Sequence, residues 1–319
     1  MTTPPLVIIC PGQGAQAIGM AKAWCERSPE ARAVMERADA VLGDRLGAKL
    51  SELCFQGPSE RLNQTDVSQP AIYAAGIACW KGLLASWSMG NGETSLVAAA
   101  GLSLGEYTAL CLAGAFSFED GLELVTLRGR AMQDAAEAQP SSMLALIGAD
   151  EPQAREVCER ASGADVLVPA NFNAPGQIVL SGHKAAITRA TAVATEMGLR
   201  ATELAVAGAF HSPLMAPAAE RLRAALAGTP ITAPRCPVMS NVTANAHAPG
   251  SGTIEDSIRD RLVEQLTSPV RWAESCLRLG SIASTRAGAE FHELAPGKSI
   301  AGLMRRIDKN LKVTSHDEP

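Results

Sequence analysis

Two glycines frame a serine in Gly101-Leu102-Ser103-Leu104-Gly105, directly after the apolar run 97–100 and before a helix-like stretch. Strand, sharp turn and helix in that order form a nucleophile elbow, which lifts a serine hydroxyl clear of the chain for attack on an acyl carbon. The glycines are needed where strand and helix backbones approach too closely for a side chain. The amide of Leu104 opens the helix, so its N–H is free to bind an anion.

A serine nucleophile requires a general base, and histidine is the usual one near neutral pH. The chain has five histidines. His316 falls in a polar tail after Leu311 that is expected to fray, His247 in the loop 245–249, and His183 in a turn over 181–183. His292 alternates within a strand, where a hydrogen-bonded core role suffices to explain it. His211 lies among small residues in a glycine-containing loop with room for its ring. His211 is therefore the preferred base and His292 the alternative. Asp120, Asp134, Asp150 and Asp165 lie between serine and histidine, but none ends an obvious main-sheet strand. A backbone carbonyl is the other way to orient His211.

Arg128 shares a helical face with Leu124, Val125 and Met132, whereas Arg130 faces Thr126 and Asp134 and belongs in solvent. A guanidinium on an apolar face must meet an anion, because burying it unpaired is prohibitive. Either an acidic side chain of the protein or a carboxylate of the substrate meets that need.

The elements that hold these residues follow an α/β order. Residues 6–10 read as a strand buried on both faces, running into Pro11-Gly12-Gln13-Gly14-Ala15-Gln16. The glycines let backbone amides approach a ligand, but the spacing is not G-x-G-x-x-G and no acid ends a second strand, which argues against a dinucleotide site. Helices are expected over 30–42 and 69–87, a loop at Met89-Gly90-Asn91-Gly92, a strand over 95–100, and a helix capped near Ser117 that runs to 137. Between 138 and 206 the pattern changes to β-α-β-β-α-β, with strands at 143–148, 166–171, 177–180 and 202–206, helices at 151–161 and 184–197, and a turn at 173–176. That is the order of a split-βαβ, ferredoxin-like unit, inserted between 1–137 and 207–319. The returning chain carries helices at 215–227 and 254–267, a strand end at 238–241 and a strand at 290–294.

Composition narrows the function classes. Apolar residues are 47% and charged residues 19% of 319, enough for a sizeable core and too apolar for a disordered chain. A net charge of −5 argues against nucleic acid or an anionic membrane as partner. No apolar stretch spans a bilayer and no secretory leader is evident, so a cytoplasmic location is expected. The eight cysteines are dispersed without a C-x-x-C pair, and read as reduced core thiols instead of a disulfide frame or a metal site.

Taken together, these stretches resemble the malonyl-CoA:acyl carrier protein transacylase family over nearly the whole chain. The resemblance is carried by residues 11–16, Ser68-Gln69-Pro70-Ala71, Gly101-Leu102-Ser103-Leu104-Gly105-Glu106, Leu127-Arg128-Gly129 and Asn171-Phe172-Asn173-Ala174-Pro175-Gly176-Gln177. Ala209-Phe210-His211-Ser212, residues 265–270 and Pro296-Gly297-Lys298 continue it. It implies an α/β-hydrolase-like core with a mostly parallel sheet and a ferredoxin-like insertion. It also implies Ser103 as acyl acceptor, His211 as base, the Gln13 and Leu104 amides as oxyanion hole, and Arg128 as clamp for the free malonyl carboxylate. Gln265 would orient His211 through its main-chain carbonyl, with Gln69, Asn173 and Phe210 lining the acyl pocket. The implied substrates are malonyl-CoA and the phosphopantetheine thiol of acyl carrier protein, with no permanently bound cofactor and a monomeric enzyme. One departure is Leu102, where many members carry histidine; that position moves no proton. A serine thioesterase or esterase would share Ser103 and His211 but deliver the acyl group to water, and a polyketide pathway is an alternative setting for the same loading step.

Overall fold

The computed structural model describes residues 4–88 and 95–319; the loop expected at Met89–Gly92 lies outside them. The chain begins with β1 (Leu6–Cys10), α1 (Lys22–Arg27), α2 (Pro29–Leu42), α3 (Leu50–Gln56), α4 (Ser59–Leu62) and α5 (Thr65–Ser86). It continues through β2 (Leu96–Gly101), α6 (Gly105–Leu112), α7 (Phe118–Glu137), β3 (Ser141–Ile147), α8 (Glu151–Ser162), β4 (Leu167–Ala174) and β5 (Gln177–His183). The remainder is α9 (Lys184–Glu196), β6 (Arg200–Glu203), α10 (Ala216–Gly228), α11 (Ile254–Glu264), α12 (Trp272–Ser284), β7 (Glu290–Leu294), α13 (Ser299–Ile307) and β8 (Val313–His316).

The main sheet has the order β2-β1-β7-β8, and every neighbouring pair is parallel. All five residues of β1 are buried, as an apolar strand without alternation requires when helices cover both faces. Of the strand end expected at 238–241, two isolated bridges form: Val238 lies parallel beside Ala99 of β2, and Met239 pairs antiparallel with Ala246. Helix α5 is buried on nearly every face, and its small residues let it pack against both α2 and α7. A Cβ on Gly129 of α7 would lie 2.6 Å from the Thr65 carbonyl oxygen, so α7 meets the start of α5 backbone to backbone. Arg128 is thereby set against Gln69.

The second sheet, β4-β5-β3-β6, is antiparallel throughout and carries α8 and α9 with an apolar core of its own. Its strand order is the ferredoxin-like one. It joins the rest of the chain through Val270, whose N–H donates to Ala170 O (2.8 Å) and whose carbonyl accepts from Phe172 N–H (2.9 Å). Among the described residues no helix is long and apolar enough to cross a membrane.

Several boundaries differ from the sequence reading. The segment after Leu311 does not fray: Val313–His316 pairs in parallel with β7, and Trp24 Nε1 donates to His316 O at 3.1 Å. A polar sequence looks disordered when its hydrogen-bonding partner is distant in the chain. Strand β5 runs on through His183 instead of turning at 181, and β4 runs through Ala174, which moves the turn to residues 175 and 176. Helix α11 ends at Glu264, three residues early, leaving Gln265 at its C-cap.

Candidate active site

Strands β1 and β2 run in parallel with Cys10 opposite Gly101, so the segments that follow them meet at one sheet edge. Leu102 N–H donates to Cys10 O at 3.1 Å and ties the two together. A Cβ on Gly101 would lie 1.9 Å from the Gly105 carbonyl carbon, and one on Gly105 would lie 2.3 Å from Cys10 O. No side chain fits at either place, and the chain turns between them. Ser103, at the apex, has φ 51°, a left-handed conformation that a non-glycine residue adopts only where its surroundings enforce it. Asn241 supplies that enforcement: its Oδ1 accepts from Ser103 N–H (2.6 Å) and its Nδ2 donates to Gly101 O (2.8 Å).

Ser103 Oγ lies 2.8 Å from His211 Nε2, and His211 Nδ1 lies 2.8 Å from the main-chain oxygen of Gln265. A carbonyl only accepts, which assigns the ring proton to Nδ1 and leaves the Nε2 lone pair facing the serine hydroxyl. His211 also has a left-handed backbone (φ 56°), stabilised by Ser212 Oγ donating to Ala209 O at 2.7 Å. Burial first, and the Arg128 charge second, push the His211 pKa down to about 4, against the opposing Gln265 carbonyl. The imidazole is therefore neutral at physiological pH and competent to accept a proton. His292, the alternative base, is engaged elsewhere, with Nδ1 2.9 Å from His316 Nε2.

Arg128 is buried and sits in no ion pair among the described residues; Arg130, by contrast, lies in solvent 2.9 Å from Asp134. The Arg128 guanidinium is held by neutral acceptors alone. Nη1 donates to Gln69 Oε1 (2.6 Å), and Nη2 donates to Gln265 Oε1 (2.8 Å) and Ser103 Oγ (3.0 Å). Its Nε has no partner, and its Cζ stands 5.3 Å from the Tyr107 ring centroid. Of the two partners that the sequence allowed, the acidic side chain is absent.

The expected residues Ser103, His211, Arg128, Gln69 and Gln265 thus form one bonded group. Phe210 is buried beside His211 in sequence. Neither the Gln13 nor the Leu104 amide has an intramolecular acceptor among the described residues. Asn173, near the end of β4, makes no hydrogen bond to the group, and its buried Oδ1 is unpaired.

The family model described as acyl transferase domain matches residues 7–306. The chain is 38% identical over 313 residues to the malonyl CoA-acyl carrier protein transacylase of Escherichia coli K12, covering 98% of this chain and 95% of that protein. The chain belongs to the malonyl-CoA:acyl carrier protein transacylase family. A crystal structure of the transacylase from Xanthomonas oryzae pv. oryzae superimposes with a TM-score of 0.89 at 42% identity, over 100% of this chain and 96% of that one. Another transacylase, solved as a malonyl-transacylase in complex with its type II PKS acyl-carrier protein, gives 0.88 at 34% identity over 98% and 96%. Membership accounts for the hydrolase-like core and the ferredoxin-like insertion together.

Beneath the elbow of this transacylase lies a group that the sequence reading did not assign. Glu106 is fully buried, and its carboxylate meets His247 Nε2 (2.8 Å), Asn241 N–H (3.0 Å) and Gln265 Nε2 (2.7 Å). Glu106 stands in the motif itself, but an acid in the first turn of a helix is ordinarily explained by the helix dipole. Its partners are 135 to 159 residues away, which no local pattern reveals.

Proposed function

We infer that this enzyme moves a malonyl group from coenzyme A to the phosphopantetheine thiol of acyl carrier protein, through a malonyl-O-Ser103 intermediate. The observation that carries the reading is Arg128: a buried cation with no carboxylate in an ion pair with it among the described residues, 3.0 Å from the nucleophilic oxygen. Such a cation is complementary to an acyl group with a free carboxylate one carbon from the reacting carbonyl.

Ser103 Oγ attacks the thioester carbonyl as its proton passes to His211 Nε2. The Gln13 and Leu104 amides receive the developing oxyanion. The tetrahedral adduct collapses, the C–S bond breaks, and the coenzyme A sulfur leaves with the proton from His211. The carrier-protein thiol then attacks the ester while His211 takes its proton, and Ser103 Oγ departs by recovering that proton. Two half-reactions through one site give ping-pong kinetics. Both thiols come from the substrates, and every proton moves through one imidazole. Gln69 and Gln265 hold the guanidinium ready for the malonyl carboxylate, and Phe210 and Asn173 line the pocket. In this reading 138–206 is an inserted unit on a catalytic core formed by 1–137 and 207–319, acting as a monomer in the cytoplasm to supply fatty-acid synthesis.

The test is intact mass after incubation with malonyl-CoA, then with holo acyl carrier protein. One malonyl group should appear on the wild type, map to Ser103, be absent from Ser103→Ala, and pass to the carrier. Release of the group into water in preference to the carrier would instead make the enzyme a thioesterase.

A further inference from the structure

We propose that Glu106 is a positioning residue for substrate selection: it fixes the direction of the Gln265 side-chain amide, and through it the placement of Arg128. This rests on Arg128 as the carboxylate clamp.

The Gln265 amide is buried and has a polar group at each end. Its Nε2 donates to Glu106 Oε2 (2.7 Å) and Ser103 O (3.1 Å), while its Oε1 accepts from Arg128 Nη2 (2.8 Å). Reversed, the amide would set its N–H groups against the guanidinium N–H groups and its oxygen against two acceptors. A carboxylate has no donor, so Glu106 permits only the observed direction. The consequence reaches the chemistry twice. Arg128 is restrained by a neutral oxygen and keeps its positive charge for the substrate, while the residue whose main-chain oxygen orients His211 is anchored by its own side chain.

Glu106 is itself over-determined. Oε1 accepts from His247 Nε2, and Oε2 is shared between Gln265 and the Asn241 amide, whose side chain grips Ser103 N–H. His247 Nδ1 has no partner, so that ring is spent wholly on the carboxylate. One buried acid thus faces the nucleophile, the base and the cation, each through a single intervening residue. An acid serving only to hold the 238–247 segment would need Asn241 and His247 but not Gln265.

The experiment measures kcat/KM for malonyl-CoA and acetyl-CoA, with thermal midpoints, on wild type, Glu106→Gln, Gln265→Met and Arg128→Ala. Glu106→Gln keeps the shape but adds a donor, so one of the contacts that hold the Gln265 amide in its direction is lost. The malonyl-to-acetyl ratio should fall roughly tenfold, the scale of a charge-assisted contact. Gln265→Met cuts the same link while keeping the main-chain carbonyl, and should lower the ratio similarly. The double variant should fall no further than the larger single one. A ratio that stays at the wild-type value in Glu106→Gln overturns the proposal, even if both rates or the midpoint drop. Where Glu106→Gln fails to fold, the Gln265→Met ratio decides on the same terms. Arg128→Ala separates the two layers. An unchanged ratio there removes the clamp itself, and with it the proposal. A lowered ratio there, with wild-type ratios in Glu106→Gln and Gln265→Met, overturns the Glu106 relay alone.

Discussion

Two buried polar centres sit in this molecule, and they differ in what they leave unused. Around β7 and β8, Glu293 accepts from the Ile300 and Ala301 amides (2.7 and 3.0 Å) at the start of α13 and from Ser315 Oγ (2.7 Å). Beside it His292 and His316 stack with centroids 5.1 Å apart, edge-on to Trp87. Apart from His292 Nε2, which faces Glu290 Oε2 at 3.4 Å without a hydrogen bond, these groups pair among themselves and join a helix to two strands. Around Ser103 an equally buried acid and histidines serve groups that, among the described residues, lack their strongest partners: a cation without a carboxylate and two amides without acceptors. Burial and titratable residues are common to both centres, so neither identifies a catalytic site. Donor capacity left unpaired around a serine–histidine pair points to one.

The widest contrast lies between the histidines. His211→Ala should lower malonyl transfer by about 10²–10⁴-fold, while His292→Ala keeps its rate within about twofold and loses stability instead. Stopped-flow loading and thermal melts on both variants check this; a dead His292→Ala beside an active His211→Ala reverses the roles. Next in size is the cation. Arg128→Ala should shift the malonyl-to-acetyl ratio of kcat/KM by roughly thirty- to a thousand-fold toward acetyl, the worth of a bidentate charged contact. A merely structural arginine would lose stability and keep the ratio.

Acid sharpens the comparison further. With its pKa pushed down to about 4, His211 stays neutral through most of the acid range, so kcat/KM at pH 5 should keep about nine-tenths of its plateau. A pH–rate profile already falling near 6.5 would contradict this. Arg128→Ala, which removes one of the two causes, should move the limb upward. His316 is likewise pushed down to about 4, by burial and then by His292. Both histidines fold in the neutral form, so their contribution to stability is complete above the ordinary value near 6.5. It is lost progressively as pH falls toward about 4, and urea melts between pH 7 and pH 4 read it. The smallest catalytic effect belongs to Glu293→Ala, which should cost about 1–3 kcal/mol by uncapping α13 and leave the malonyl-to-acetyl ratio untouched.

What the sequence made legible was local. The elbow is written in five consecutive residues, the apolar face of α7 picks out Arg128, and alternating elements over 141–203 spell out the insertion. Composition and spacing left two partners open for Arg128, and only the fold shows that, among the described residues, neutral side chains hold it and no acid pairs with it. The orienting group for His211 is a main-chain oxygen, which every residue has, so no residue type announces it; family resemblance alone pointed to Gln265. Glu106, Asn241 and His247 stayed hidden because each is ordinary in its own segment and becomes particular only where three distant segments cross. Strand β8 escaped notice for a related reason, since its ladder partner β7 lies some twenty residues away.

The left-handed backbone at Ser103 bears on how such a gene decays. Glycine tolerates that conformation without strain, so Ser103→Gly should melt above Ser103→Ala by about 1 kcal/mol while being just as inactive. A lineage released from the need for malonyl transfer would meet no resistance from folding, proteolysis or solubility when it discards the hydroxyl. Cellular quality control would pass the inert protein as sound. Only the flux of acyl groups keeps serine at the apex.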